Sequence, residues 1–135
     1  MENDNKSGVG LWIAGARPRT LPAAVVPVLV GASCVVGDNA AVERWWCGAL
    51  ALVVSLALQI GVNYANDYSD GIKGTDAVRV GPIRLVGSGL VSAKKVKIAA
   101  MLAFGVAAIF GLVIALTVSL WLIVVGVASI AAGWL

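Results

Sequence analysis

The chain has 135 residues, of which 60% are hydrophobic and only 13% charged, and its mean hydropathy is +0.95. A soluble domain carries about 25% charged residues, and one of this size could not hide so much apolar surface, so lipid is the expected solvent. The net charge of +3, from ten Lys/Arg against seven Asp/Glu, lies between apolar runs, where it sets membrane topology; nucleic acid is excluded as a partner.

There is no histidine, which excludes a Ser-His-Asp triad and a zinc site within the chain. Cys34 and Cys47 form no CxxC and read as small packing residues of apolar helices.

A membrane-crossing helix needs about 20 apolar residues at 1.5 Å each. The first predicted span runs over 21–36, behind the basic cluster Arg17-Pro18-Arg19, and is retained rather than cleaved as a signal peptide. Pro22 falls in its first turn, where a missing N–H costs nothing, and Pro27 lies deep enough to kink it. The second, over 45–65, is uncharged and opens on the interfacial pair Trp45-Trp46. A polar loop over 66–95 follows, and then an uncharged run too long for one crossing, which predicts a hairpin of spans over 96–116 and 120–135. Arg17, Arg19 and the basic residues of the 66–95 loop place the N-terminus and that loop in the cytoplasm. The last span stops without a charged flank, so residues 1–135 are expected to be the N-terminal part of a longer protein.

Chemistry concentrates at the end of the second span. At 100° per residue Gln59, Asn63, Asn66, Asp67 and Asp70 fall within roughly a 100° arc, while the rest of the span is apolar. A helix cap needs one such residue, and carboxylates at a helix C-terminus oppose its dipole. Carboxylates near hydrocarbon cost a few kcal/mol each, a cost that a bridging cation reduces. Mg²⁺ suits such a place, because it takes hard oxygen ligands and commonly uses one or two carboxylates plus substrate phosphates. Asp67, Asp70 and Asp76 are the candidate carboxylate ligands, with Asn63 as a neutral oxygen ligand or an amide donor to phosphate. The glycine-rich segment that follows carries Lys73, Arg79 and Arg84, which can pair with phosphate oxygens. Lys94, Lys95 and Lys97 read as inside-positive flank.

The run Asn66-Asp67-Tyr68-Ser69-Asp70 resembles the first aspartate-rich motif, NDxxDxxxD, of the UbiA superfamily of intramembrane prenyltransferases. Asn66, Asp67 and Asp70 match, whereas Gly74 stands where the last Asp is expected and Asp76 follows two residues later. With the downstream RVGPIRLV and the early ARPRTLPAAVVPVLVG, the departure resembles the menaquinone-pathway branch of that superfamily. The resemblance implies an all-α polytopic membrane helical bundle of eight or nine spans, of which about four lie here, in a bacterial cell membrane. It also implies magnesium as cofactor, Asn66, Asp67 and Asp70 as catalytic residues, and a second acidic motif elsewhere, without which residues 1–135 alone are inactive. The implied reaction joins a polyprenyl diphosphate to 1,4-dihydroxy-2-naphthoate, giving demethylmenaquinone, diphosphate and CO₂. Asn63, Lys73, Arg79 and Arg84 are then the substrate-binding candidates. Two other readings stay open on the residues: the same fold with 4-hydroxybenzoate or homogentisate as acceptor, or a small membrane transporter or scaffold subunit.

Overall fold

A computed structural model describes residues 8–74 and 83–135, and every regular element among them is helical. Six α-helices occur in chain order: α1 (Gly8–Ala16), α2 (Pro22–Ser33), α3 (Asn39–Glu43), α4 (Trp45–Lys73), α5 (Ala93–Thr117) and α6 (Trp121–Trp134), with one 3-10 turn at Pro18–Thr20.

Helix α4 is the axis of the molecule. Its 29 residues correspond to about 43 Å, against about 30 Å of hydrocarbon. With Trp45 at one interface, the last nine or so residues project beyond the other, and these include Asn66, Asp67, Asp70 and Lys73. The expected loop over 66–95 thus begins as helix. Nothing before Gly74 breaks the helix, and Gly74, at φ 67°, ends it in the left-handed conformation that glycine adopts without penalty.

Helix α5 returns antiparallel beside α4. Gly61 faces the Phe104 ring at one level, and Gly111 meets Val54 at another. A Cβ at Gly61 would lie 2.8 Å from that ring, so only glycine permits the approach. Gly133 of α6 makes a similar contact with Val62 and Phe104. Small residues at helix contacts are the usual packing device where lipid supplies no hydrophobic drive between helices. Elsewhere the Ser55 hydroxyl of α4 donates to the Ala24 carbonyl of α2 at 2.8 Å.

Helices α4 and α5 are both long and apolar enough to cross a membrane. Only 11% and 22% of their most apolar windows are buried, whereas the core helix of a soluble protein would be mostly covered. Leu102, Ile109 and Leu116 of α5 and Val124, Val125 and Val127 of α6 stand exposed, as side chains facing lipid do. The molecule is an all-α membrane bundle.

Two expected spans differ in extent. Helix α2 covers 12 residues, about 18 Å, because the chain turns after Ser33 and reverses at Gly37. Helix α6 covers 14 residues. Helix α1 and the short α3 were not expected at all. α1 is a brief, uniformly apolar stretch with no period to announce it, held in place by what it packs against.

The buried core lies at the polar end of α4. Tyr64, Ala65, Leu85, Val96, Ala100 and Phe104 form it, with Leu11, Trp12 and Val86 packed around. Leu85 is fully buried although it belongs to the α4–α5 connection. Among the described residues of the connection, Arg84, Leu85, Val86 and Val91 are folded down onto the helices.

Candidate functional site

The polar stripe of α4 divides into two halves, each gripping a different piece of chain. In the first half, the Asn63 amide nitrogen donates to the Ala16 carbonyl at 2.8 Å and to the Thr20 hydroxyl oxygen at 2.9 Å. The Gln59 amide reaches the same hydroxyl at 3.4 Å, and that hydroxyl donates to the Arg17 carbonyl at 2.9 Å. Arg17 sits between them at φ 52°, the one non-glycine residue with positive φ among the described residues. Its amide donates to Ala14 at 3.1 Å, closing α1 before Pro18 starts the 3-10 turn. The turn is therefore clamped, through side chains of α4, against the level where that helix leaves the apolar layer.

The second half holds the 83–92 segment. Both Asp67 oxygens accept backbone amides, one from Leu85 at 2.9 Å and the other from Val86 at 3.2 Å. Asp67 is only 1% exposed, an acceptable state for a carboxylate only when it is hydrogen-bonded in this way. One turn further on, Asp70 pairs with Arg84 at 3.0 Å, its side chain 31% exposed against 17% for Arg84. The Leu85 side chain packs, with the Tyr64 ring of α4, directly against Gly15 of α1. Tyr64 donates to the Trp12 carbonyl at 2.8 Å, and its ring meets Trp12 edge-on. Gly71 leaves room for Val86, since a Cβ there would overlap a Val86 methyl.

The sequence-predicted residues thus fall into distinct places. Asn63, Asp67 and Asp70 share one face as expected, and Arg84 joins Asp70. Asn63 and Asp67, expected as metal ligands, meet protein partners: the amide nitrogen is engaged by the turn, and both carboxylate oxygens by the segment. Asn66 and Lys73 are exposed at the same end of α4. Asp76 and Arg79 lie outside the described residues. Lys97, expected as flank, lies 5.5 Å from the centroid of Tyr68 and 5.8 Å from that of Trp134, whose rings stack. Sequence reasoning missed Thr20, Gly15 and the amides of Leu85 and Val86. A backbone donor leaves no trace in side-chain chemistry, but Thr20 directly after Arg-Pro-Arg was open to suspicion as a turn hydroxyl.

Among the described residues no three His, Cys, Asp or Glu side chains converge on a metal position. The donor set nevertheless fits a magnesium diphosphate in part. Asp70 is partly open and Asn66 is open, and a magnesium ion that retains waters and phosphate oxygens needs only one or two protein carboxylates. Each Asp67 oxygen, by contrast, is engaged by a backbone amide.

Fold and site together define a class: a helical membrane protein that carries an acidic and basic cluster at the projecting end of one long helix. Comparison with known proteins is more particular. The chain is 56% identical over 124 residues to the 1,4-dihydroxy-2-naphthoate octaprenyltransferase of Mycobacterium tuberculosis, and 55% identical over 124 residues to that of Mycobacterium leprae. Each match covers 92% of this chain and 42% of the relative. The Escherichia coli protein of the same name is 35% identical over 94 residues, covering 64% of this chain and 28% of the relative. The chain is homologous to these prenyltransferases, in agreement with the motif resemblance, and spans less than half the length of the relatives it matches. No family model matches the chain. No solved structure matches it either.

Proposed function

We propose that the protein to which this chain belongs transfers a polyprenyl group from polyprenyl diphosphate to 1,4-dihydroxy-2-naphthoate, in the membrane-bound steps of menaquinone biosynthesis. The observation that carries the reading is the Asp70–Arg84 pair at the end of α4, in a chain 56% identical to a naphthoate octaprenyltransferase over 124 residues.

The allylic C–O bond of the diphosphate breaks and a C–C bond to the naphthalene ring forms. The carboxylate of the acceptor leaves as CO₂, and the product is the prenylated diol, the reduced form of demethylmenaquinone. Magnesium, when bound, neutralises the charge that the departing diphosphate gathers. In this chain Asp70 and Asn66 would hold it. Arg84, kept at Asp70 by the folded segment, presents guanidinium donors suited to phosphate oxygens, and exposed Lys73 adds charge at the same end. Asp76 and Arg79 are proposed to complete the set. Arg84 pairs with Asp70 in the described arrangement, so diphosphate binding exchanges one partner of the arginine for another rather than recruiting a distant group.

The isoprenoid tail needs an apolar, lipid-accessible place. A cavity of about 990 Å³ between α2, α4, α5 and α6, lined by Val28, Ala32, Val54, Leu58 and Ile114 among others, has that chemistry. It begins about 18 Å up α4 from Asp70, counting from Leu58, a distance a polyprenyl chain covers. The N-terminus and the acidic end of α4 face the cytoplasm in this reading, in a multi-pass arrangement in a bacterial inner membrane.

The acceptor is tested by offering the full-length protein one prenyl diphosphate with each of three acids: 1,4-dihydroxy-2-naphthoate, 4-hydroxybenzoate and homogentisate. Transfer to the naphthoate with release of CO₂ is expected. Preference for either other acid overturns the choice of substrate, and no transfer to any of them overturns the reading.

A further inference from the structure

The motif makes Asp67 and Asp70 look equivalent, but their surroundings differ. Asp67 is 1% exposed and accepts the amides of Leu85 and Val86 with its two oxygens, at 2.9 and 3.2 Å. Asp70 is partly open and faces the Arg84 guanidinium at 3.0 Å. Along the chain the two contacts are adjacent: Arg84 immediately precedes the two amides that Asp67 holds.

We propose that Asp67 is a positioning residue that anchors the 84–86 backbone and so sets Arg84 over Asp70, and that Asp70 alone of the two meets the magnesium diphosphate. The inference rests on the prenyltransferase reading but concerns which carboxylate does what within it. Three features support it. Burial denies Asp67 the waters that a magnesium ion retains. Two amides on one carboxylate form a charge-assisted clamp, stronger than neutral hydrogen bonds. The packing of the Leu85 side chain against Gly15 beside Tyr64, and the Val91 amide on the Leu85 carbonyl at 2.9 Å, hold the same residue from other sides. Were Asp67 to turn outward to a metal, two amides packed against the core would lose their partner, a loss that substrate binding would have to offset.

Phosphate selectivity then depends on a contact that never touches phosphate. Residues that orient a first contact commonly change affinity or rate by about 10–100-fold when altered, without being ligands themselves.

The test uses the full-length protein in lipid nanodiscs and the variant Asp67→Asn, whose amide group must turn an N–H toward one of the two backbone donors. Hydrogen exchange is read at Leu85 and Val86 in EDTA, where no metal contact contributes. An acceleration of about tenfold or more is expected there. In the transfer assay the KM for prenyl diphosphate rises, while the magnesium concentration for half-maximal rate stays within about twofold of the parent. In an Arg84→Gln background Asp67→Asn adds little further loss, since both act through one arginine. Unchanged exchange in EDTA, or a magnesium requirement raised about tenfold, overturns the proposal and makes Asp67 a ligand. Should Asp67→Asn fail to insert, Val86→Pro removes one of the two amides from the other side and is expected to raise the same KM. A parent protein that transfers nothing defeats the prenyltransferase reading, while the exchange result still judges the anchor.

Discussion

The contact between Gly15 and Leu85 makes a prediction whose size depends on the partner. A Cβ added at Gly15 would lie 2.5 Å from Leu85 Cδ1, 3.1 Å from its Cγ and 3.0 Å from the Tyr64 ring. Gly15→Ala therefore overpacks the core at a cost of about 1–3 kcal/mol, offset by up to about 1 kcal/mol of helix preference for alanine. At the middle of both ranges the net loss is about 1–2 kcal/mol. Leu85→Ala empties a fully buried position and costs about 2–5 kcal/mol. Once Leu85 is truncated, the two Leu85 contacts of the methyl added by Gly15→Ala are gone and only the Tyr64 ring at 3.0 Å remains, so most of the clash is relieved while the helix preference stays. Gly15→Ala is thus destabilising in the parent and close to neutral in the Leu85→Ala background, with a coupling of about 1–2 kcal/mol. Reversible unfolding of the full-length protein in mixed micelles, followed by circular dichroism, gives all four corners of the cycle. Single losses that add to within about 0.5 kcal/mol would show that α1 and the connecting segment do not pack on each other, and the site description built on that packing would fail.

Asn63 is expected to act through its amide nitrogen, so Asn63→Asp, which turns an oxygen toward the Ala16 carbonyl, should lose more stability than Asn63→Ala, the latter costing about 1–3 kcal/mol. Greater stability or tighter magnesium use in Asn63→Asp would identify the side chain as an oxygen ligand instead. At Gly74, where φ is 67°, thermal stability should fall in the order Asn, Ala, Val, with Ala costing about 1–2 kcal/mol. Gly74→Asp, which restores the superfamily spacing, should cost less than Val because short polar residues tolerate this conformation; equal stability of all four would mean α4 does not end there.

Much of this was legible in the sequence for physical reasons. Hydropathy announced α4 and α5, whose apolar runs exceed what a soluble core needs, and the 100° arc placed Asn63, Asp67 and Asp70 on one face. The missing aspartate at position 74 has a structural reading: the helix must end there in a left-handed turn. What the sequence concealed were contacts made by backbone. Charge repulsion between neighbouring carboxylates suggested a cation as the remedy, yet for Asp67 two amides of residues 18 and 19 positions away answer the same need. Nothing in Leu85 or Val86 as residue types points to that. Likewise Asn63 has both donor and acceptor chemistry, and only the fold shows the donor turned to Ala16 and Thr20. Helix α1 escaped because nine residues without amphipathic pattern carry no period to read.

The central claim is that the projecting end of α4 is where diphosphate and magnesium are handled. It is tested most directly by assaying prenyl transfer to 1,4-dihydroxy-2-naphthoate with the full-length protein and its Asp70→Asn variant across a magnesium titration. Asp70→Asn is predicted to reduce the rate about 100-fold or more, to leave the protein inserted and folded, and to raise the magnesium needed for what activity remains. A variant that transfers as fast as the parent at the same magnesium concentration would contradict the account.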